Sequence, residues 1–263
     1  MSILENKYYS EESVFKPENL LREAKRQKGL ANCEVPKVCL LDPDGDILDY
    51  LLKTNMASIN KCWACYHTKL YTFHLEEIKF GIIACAVGAS FAVLVAEQLF
   101  ISGCELLISI TSSGIINPTG QDVEYILIES AIRDEGTSYH YLAPHEVADA
   151  NQQIISILSK DFLKATTNVN IGQSWTTDAP YRETTSAIQN MKLKNVSVVE
   201  MEAAALYALA KAKNKKIVCY AHITNSMAQT ETDFEKGLEN GSITSLEIAY
   251  KTVQHLKDYM QWK

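Results

Sequence analysis

Basic residues are in the minority: 25 Lys and Arg against 32 Asp and Glu leave a net charge of −7. A dedicated nucleic-acid surface carries the opposite excess, which speaks against DNA or RNA as the main partner. Proline (6) and glycine (11) are sparse, and no Pro/Gly/Ser-rich linker, internal repeat or low-complexity stretch divides the 263 residues. Long apolar runs are missing as well. The charge-free stretch 81–96 is shorter than the ~20 residues that span a bilayer and is broken by Gly88 and Ser90, so no membrane association is expected. The first residues carry Glu5, Lys7, Glu11 and Glu12 with no apolar core, unlike a signal peptide. What is present is the composition of a globular chain, 47% apolar and 22% charged. It suffices for one large α/β domain or two small ones.

Cysteine is present in an odd number, seven, scattered mostly inside apolar runs. There a reduced thiol behaves as a small hydrophobe, and a reducing cytoplasm is the compartment expected. The pair Cys62 and Cys65 has the spacing of a zinc or redox motif, and His67 and His74 follow it. No second pair accompanies it, so it reads as two partly buried free thiols; neither metal nor organic cofactor is expected.

Residues 1–35 read as an N-terminal helical extension, with a helix opened by Pro17 and ended near Gly29. Residues 36–263 read as one α/β domain. Apolar strand-like runs at 38–41, 79–86, 106–110, 123–128, 169–171, 196–199 and 217–223 alternate with helical patterns at 91–101, 203–213 and most of 234–259. This alternation predicts an α/β fold of three layers, α/β/α, around a central, largely parallel or mixed sheet. Ligands of such folds sit at the carboxyl ends of strands. That rule gathers Gly88, the turn Ser112-Ser113-Gly114, a loop after Ile171, the segment Glu200 to Glu202, and the segment 224–226 at one place.

The acids are the most informative feature. Glu200 and Glu202 lie where a buried strand turns into an Ala-rich helix, and burying a carboxylate is costly unless it accepts hydrogen bonds. A vicinal diol offers one carboxylate two donors, and the same charge favours positive charge developing on a sugar ring. The competing explanation is that both acids merely complement a helix N-terminus.

The block Val199-Glu200-Met201-Glu202-Ala203-Ala204-Ala205-Leu206-Tyr207 resembles the ribose-binding signature of the nucleoside phosphorylase family, the uridine phosphorylase and hexameric purine nucleoside phosphorylase type. Four kinds of block agree in order: Ala86 to Ser90, Ile110 to Gly114, Ser130 to Gly136, and Trp175 to Glu183, with Ile223-Thr224-Asn225 closing the series. The resemblance covers roughly residues 38–234. It implies an enzyme that cleaves the N-glycosidic bond of a nucleoside, of uridine or 6-oxopurine type, with inorganic phosphate as co-substrate. It further implies a homo-oligomer, dimer-based and up to a hexamer. Carried over residue by residue, Glu202 holds the ribose 2′- and 3′-hydroxyls, Met201 lies along the sugar, and Ser112 touches both sugar and phosphate. Gly88, Ser113 and Gly114 complete the nucleophile site, and Ser109 stands where the family places a central-strand Arg. Thr177, Asp178, Pro180 and Tyr181 flank the base together with Asn225. An amide at Asn225 can donate and accept hydrogen bonds but cannot deliver a proton, which suits a pyrimidine-type arrangement. Glu202 and Asn225 are the expected catalytic pair.

The chain departs from the pattern at the phosphate. A dianion calls for charge-assisted donors, yet the central-strand Arg is Ser109, the early loop reads Leu41-Asp42-Pro43-Asp44-Gly45-Asp46, and Tyr66 to Lys69 holds no Arg. Phosphate would need other cations, from Arg133, Lys69, His140 or Arg182. Otherwise water replaces phosphate, or the chain binds a nucleoside without turnover. On their own, Asp42, Asp44 and Asp46 read as a solvated turn, His140 as a packed histidine, and the lysines at 211–216 as a solvated helix end.

Overall fold

The run Val-Cys-Leu-Leu-Asp has no polar alternation because it is covered on both faces and paired on both edges. It forms β1 (Val38–Asp42), buried throughout and held in parallel by two neighbours. A computed structural model of the chain describes residues 2–117, 120, 122–162, 168–226 and 234–262. In chain order, α1 (Pro17–Lys28) precedes β1, followed by α2 (Asp46–Lys53), β2 (Ser58–Ile59), β3 (Tyr71–Leu75), β4 (Ile78–Ala84), α3 (Ala89–Ile101) and β5 (Leu106–Ile115). Then come β6 (Tyr125–Asp134), β7 (Val147–Asp149), α4 (Gln152–Ile157), β8 (Val169–Thr177), α5 (Thr185–Leu193), β9 (Val198–Glu200), α6 (Ala203–Lys213), β10 (Lys216–Asn225) and α7 (Ser242–Leu256).

The strands make one mixed sheet in the order β10-β6-β8-β9-β5-β1-β4-β3-β2, with β7 against β6. β5 also pairs in parallel with β10 along nearly its whole length. Strands β5, β10, β6, β8 and β9 therefore close on themselves, while β1 to β4 continue as an open wing. Helices α1, α3 and α6 pack together, and α2, α4 and α7 form a second group. The expected α/β architecture with a mixed sheet is the one observed.

Three expectations are corrected. Residues 111–114 are not a loop: β5 runs on to Ile115 because β10 and β9 pair its two edges there. No loop follows Ile171, since β8 runs on to Thr177; the last helical stretch is as expected, a short 3₁₀ turn at Leu238–Gly241 leading into α7 at Ser242. Nor are all seven cysteines free. Cys33 and Cys62 are joined in a disulfide that ties the segment after α1 to the strand β2 region, leaving Cys65 as a buried free thiol. One support for a reducing compartment goes with it.

The N-terminal segment is helical only in α1. That helix presents Leu21 and Ala24 to Ala64, while Lys28 donates to the carbonyls of Ala64 and Cys65. Residues before it lie along the loop after β6, where Tyr9 Oη donates to the Tyr139 carbonyl.

Candidate active site

β9 ends at Glu200, and the chain turns through Met201 and Glu202 into α6. The two acids are both buried, at 3% and 1% exposure, yet they are treated oppositely. Glu200 is saturated. Its Oε1 accepts from Ser174 Oγ (3.0 Å) and Thr176 Oγ1 (2.5 Å), and its Oε2 accepts from the amides of Glu202 and Ala203 (2.7 Å each). It is the helix-capping acid, tying β8 to the first turn of α6. Glu202 accepts at Oε1 from the Gly88 amide (2.7 Å), and the Thr111 hydroxyl lies close enough to its carboxyl to favour the charged form. Its Oε2 is buried and has no hydrogen-bond partner among the described residues.

Burial pushes both carboxyls upward. For Glu202 burial is the largest cause and the neighbouring Glu200 the next; the Gly88 amide and the Thr111 hydroxyl oppose them, and the result is about 8. For Glu200 the four donors oppose burial. Donors to a carboxylate favour its charged form, and Glu200 has four of them where Glu202 has the Gly88 amide and the Thr111 hydroxyl.

Gly88 reaches Glu202 because the chain leaves β4 through Cys85, at φ 60°, and enters α3 with Gly88 at φ 87°, ψ 149°. That conformation is open to glycine and strained for other residues. It aims the amide across to β9's exit.

On the adjacent strand, Ser112 gives both its donors to one oxygen. Its amide (2.7 Å) and hydroxyl (2.6 Å) both donate to Asp44 Oδ2. Asp44 belongs to the turn between β1 and α2, which is solvated only in part: Asp44 is exposed and Asp46 half-buried, while Asp42 lies beneath them. Asp42 is 2% exposed and accepts from the amides of Gly45 and Leu48, and burial pushes its carboxyl up to about 7. Lys236 Nζ lies 3.4 Å from Asp44 Oδ1 and 2.5 Å from Asp46 Oδ2, and Asn240 donates to Asp46 Oδ1 (2.8 Å). These acids hold Lys236 above the ordinary lysine value despite its partial burial.

Asn225 sits beside Gly114 in the β5–β10 register, and Gly114 is opposite Val199 on β9. Thus Asn225, Gly114 and the Glu200-to-Glu202 turn are neighbours. Ser113 donates to the His222 carbonyl (2.9 Å). Met201 is half-buried next to Glu202. Thr177 continues β8 from Thr176, which is in register with Glu200. Its hydroxyl accepts from the Ala179 amide (3.2 Å), and Asp178 Oδ2 accepts from the Gly136 amide (2.8 Å). Asp178 and Pro180 thus shape the loop beside the site.

Some expected members are not brought there. Ser109 is buried inside β5 between Leu41 and Cys219, three residues or ~10 Å of strand below Ser112. Its hydroxyl has no partner among the described residues. Tyr181 is 98% exposed on a short surface turn and covers nothing in this chain. Ser113 and Gly114 belong to paired strand rather than to an anion-binding loop. Arg133 is buried with its donors spent on Ser138 Oγ and the carbonyls of Leu142, Ala143 and His145, so it is structural. Lys69, Arg182 and His140 are exposed.

Sequence reasoning missed Lys236, His222 and Thr111. His222 is in register with Ser112 and stacks on Tyr125 at 4.5 Å, with burial lowering its pKa. Strand pairing brings His222 to Ser112, and the segment before α7 brings Lys236 to Asp44. Among the described residues, no three metal-ligating side chains come together as a metal site.

The profile of the Phosphorylase superfamily matches residues 40–254, from β1 through most of α7. The chain belongs to that superfamily. Its fold is similar to that of the purine nucleoside phosphorylase of Toxoplasma gondii, solved in complex with immucillin-H, with a TM-score of 0.70 over 88% of this chain and 94% of that one at 15% identity. In sequence it is 23% identical to a uridine phosphorylase of Thermococcus kodakarensis over 190 residues, 63% of this chain and 69% of the relative. It is 29% identical over 149 residues, 57% of this chain, to the uncharacterized protein R802 of Acanthamoeba polyphaga mimivirus; the match spans 58% of that relative's length. No helix among the described residues is long and apolar enough to cross a membrane.

Proposed function

We propose that this protein cleaves the N-glycosidic bond of a nucleoside at the Glu202 site. The observation that carries this reading is Glu202 itself: buried, anchored on the Gly88 amide, and left with one oxygen lacking a partner. Such an oxygen is costly unless a ligand completes it. A ribose diol supplies two O–H donors, and donors to the carboxyl draw its pKa down and favour the charged form. That charge lies where it would stabilise the oxocarbenium-like sugar as the base departs. Asn225 would hold the base through its amide, which suits a uridine or 6-oxopurine type of base. Met201 would lie along the sugar and Ser112 beside the anomeric carbon.

Superfamily membership makes phosphate the default nucleophile. Asp44 on the Ser112 donors favours water in its place. A homo-oligomer in the cytoplasm belongs to the same proposal, and the exposed Tyr181 would then meet another subunit rather than this chain's own base site. Incubation with uridine, inosine and adenosine, with and without phosphate, tests the reading by chromatography of released base. Glu202→Gln is expected to lower turnover by roughly 10²–10³, the scale for one lost electrostatic stabiliser. Unchanged turnover in that variant removes Glu202 from the reaction, and binding without release of base leaves a nucleoside-binding protein.

A further inference from the structure

We propose that Asp44 is this chain's own occupant of the anion seat at Ser112, and that the Asp44–Lys236 pair thereby sets which nucleophile the site admits, excluding free phosphate. The proposal rests on Ser112 being the nucleophile side of the site, as read above.

Ser112 has two donors that a phosphate oxygen could use, and one oxygen of Asp44 takes both, at 2.7 and 2.6 Å. The other oxygen of Asp44 faces Lys236 at 3.4 Å, and Lys236 is bound more closely by Asp46 at 2.5 Å. The cation that could have answered a dianion is therefore already divided between two acids. Other cations do not replace it: burial disfavours the charged form of His222, in register with Ser112, and Arg133 is consumed by Ser138 and loop carbonyls.

Asp44 is also held in place rather than merely nearby. Asp42 locks the turn from below through the amides of Gly45 and Leu48. Gly45 takes φ 89°, a value open to glycine. An added Cβ there would stand 3.0 Å from Cys85 Sγ. The turn thus presents Asp44 to Ser112 with little freedom to withdraw. A phosphate entering this seat would have to expel a carboxylate from two short hydrogen bonds, or sit against it. Either route weakens binding of a dianion while leaving a neutral nucleophile unopposed.

The test is a phosphate titration followed by ³¹P line broadening, on the full chain without nucleoside. Wild type is expected to show no saturable binding in the millimolar range. Asp44→Ser, which frees both Ser112 donors and half of Lys236, is expected to bind phosphate on the order of a hundredfold tighter, as one close like charge is removed at intermediate dielectric. Asp44→Asn keeps the side chain's size and checks the charge alone should the serine variant not fold. Adding Lys236→Met to Asp44→Ser is expected to abolish the gain. Saturable low-millimolar binding by wild type, or variants at Asp44 that bind no better than wild type, overturns the proposal. Base release is scored separately. A gain in phosphate binding without any nucleoside cleavage refutes the enzymatic reading but not the role of Asp44.

Discussion

At the scale of the residue, two glutamates separated by one methionine are treated differently by the fold. The capping explanation holds for Glu200, which has four donors at the start of α6. Glu202 is anchored by the Gly88 amide and keeps a buried oxygen without a partner among the described residues, the feature on which the proposed diol binding rests. Burial and the neighbouring Glu200 push the Glu202 carboxyl up to about 8. Between the ordinary value of 4.5 and about 8, the folded protein retains a proton that the unfolded chain has shed. The stabilisation from this group is complete below 4.5 and is lost as pH rises towards 8. Relative to Glu202→Gln, wild type should therefore lose about 1.4 kcal/mol per pH unit across that window and nothing further above it. Denaturant melts of the two proteins at several pH values check this, and parallel curves would deny the raised pKa. If the ionised acid is the active form, kcat/KM of wild type rises with pH to a plateau above about 8.

At the scale of the element, the exits of β4 and β5 decide the site. The family resemblance marks Gly88 as a small residue that lets a ligand approach; the structure adds that its amide, at φ 87°, holds Glu202. A Cβ there would meet no atom within 4 Å. The expected cost of Gly88→Ala is therefore backbone strain alone, about 1–3 kcal/mol, together with a looser Glu202. Thermal melts and turnover of the variant measure the two effects, and a fully stable, fully active alanine variant would show that the amide is not required. The expected turn at 111–114 illustrates what local reading misses. Thr-Ser-Ser-Gly has turn chemistry, but two pairing partners keep it in the strand. In the same way the acid-rich run 42–49 hides α2, and the burial of Asp42 beneath the turn cannot be read from its charge.

At the scale of the whole molecule, long-range closures bring the parts together. β5 pairs with β10 across more than a hundred residues, carrying His222 alongside Ser112, and the segment before α7 delivers Lys236 to Asp44 and Asp46. A covalent closure lies at the other edge, where Cys33–Cys62 fastens the segment after α1. Cross-linking a loop of this size restricts the unfolded chain, so Cys33→Ser should cost about 3 kcal/mol under oxidising conditions. Reductant should abolish the difference from wild type. Equal unfolding midpoints without reductant would mean the bond does not form or does not constrain the unfolded chain.

By itself the sequence determined the alternation of strands and helices, the superfamily, and the candidacy of Glu202, Ser112, Gly88 and Asn225. These are written in local periodicity and in contiguous blocks, each of which carries its own physical constraint. Tertiary structure decided which glutamate is saturated, that Ser109 and Tyr181 stand away from the site, and that Asp44 faces Ser112 with Lys236 behind it. The reason is that hydrogen-bond satisfaction and burial belong to pairs of residues far apart in the chain. Whether a buried acid is a cap or a reserve of unspent charge depends on how many donors the fold brings to it.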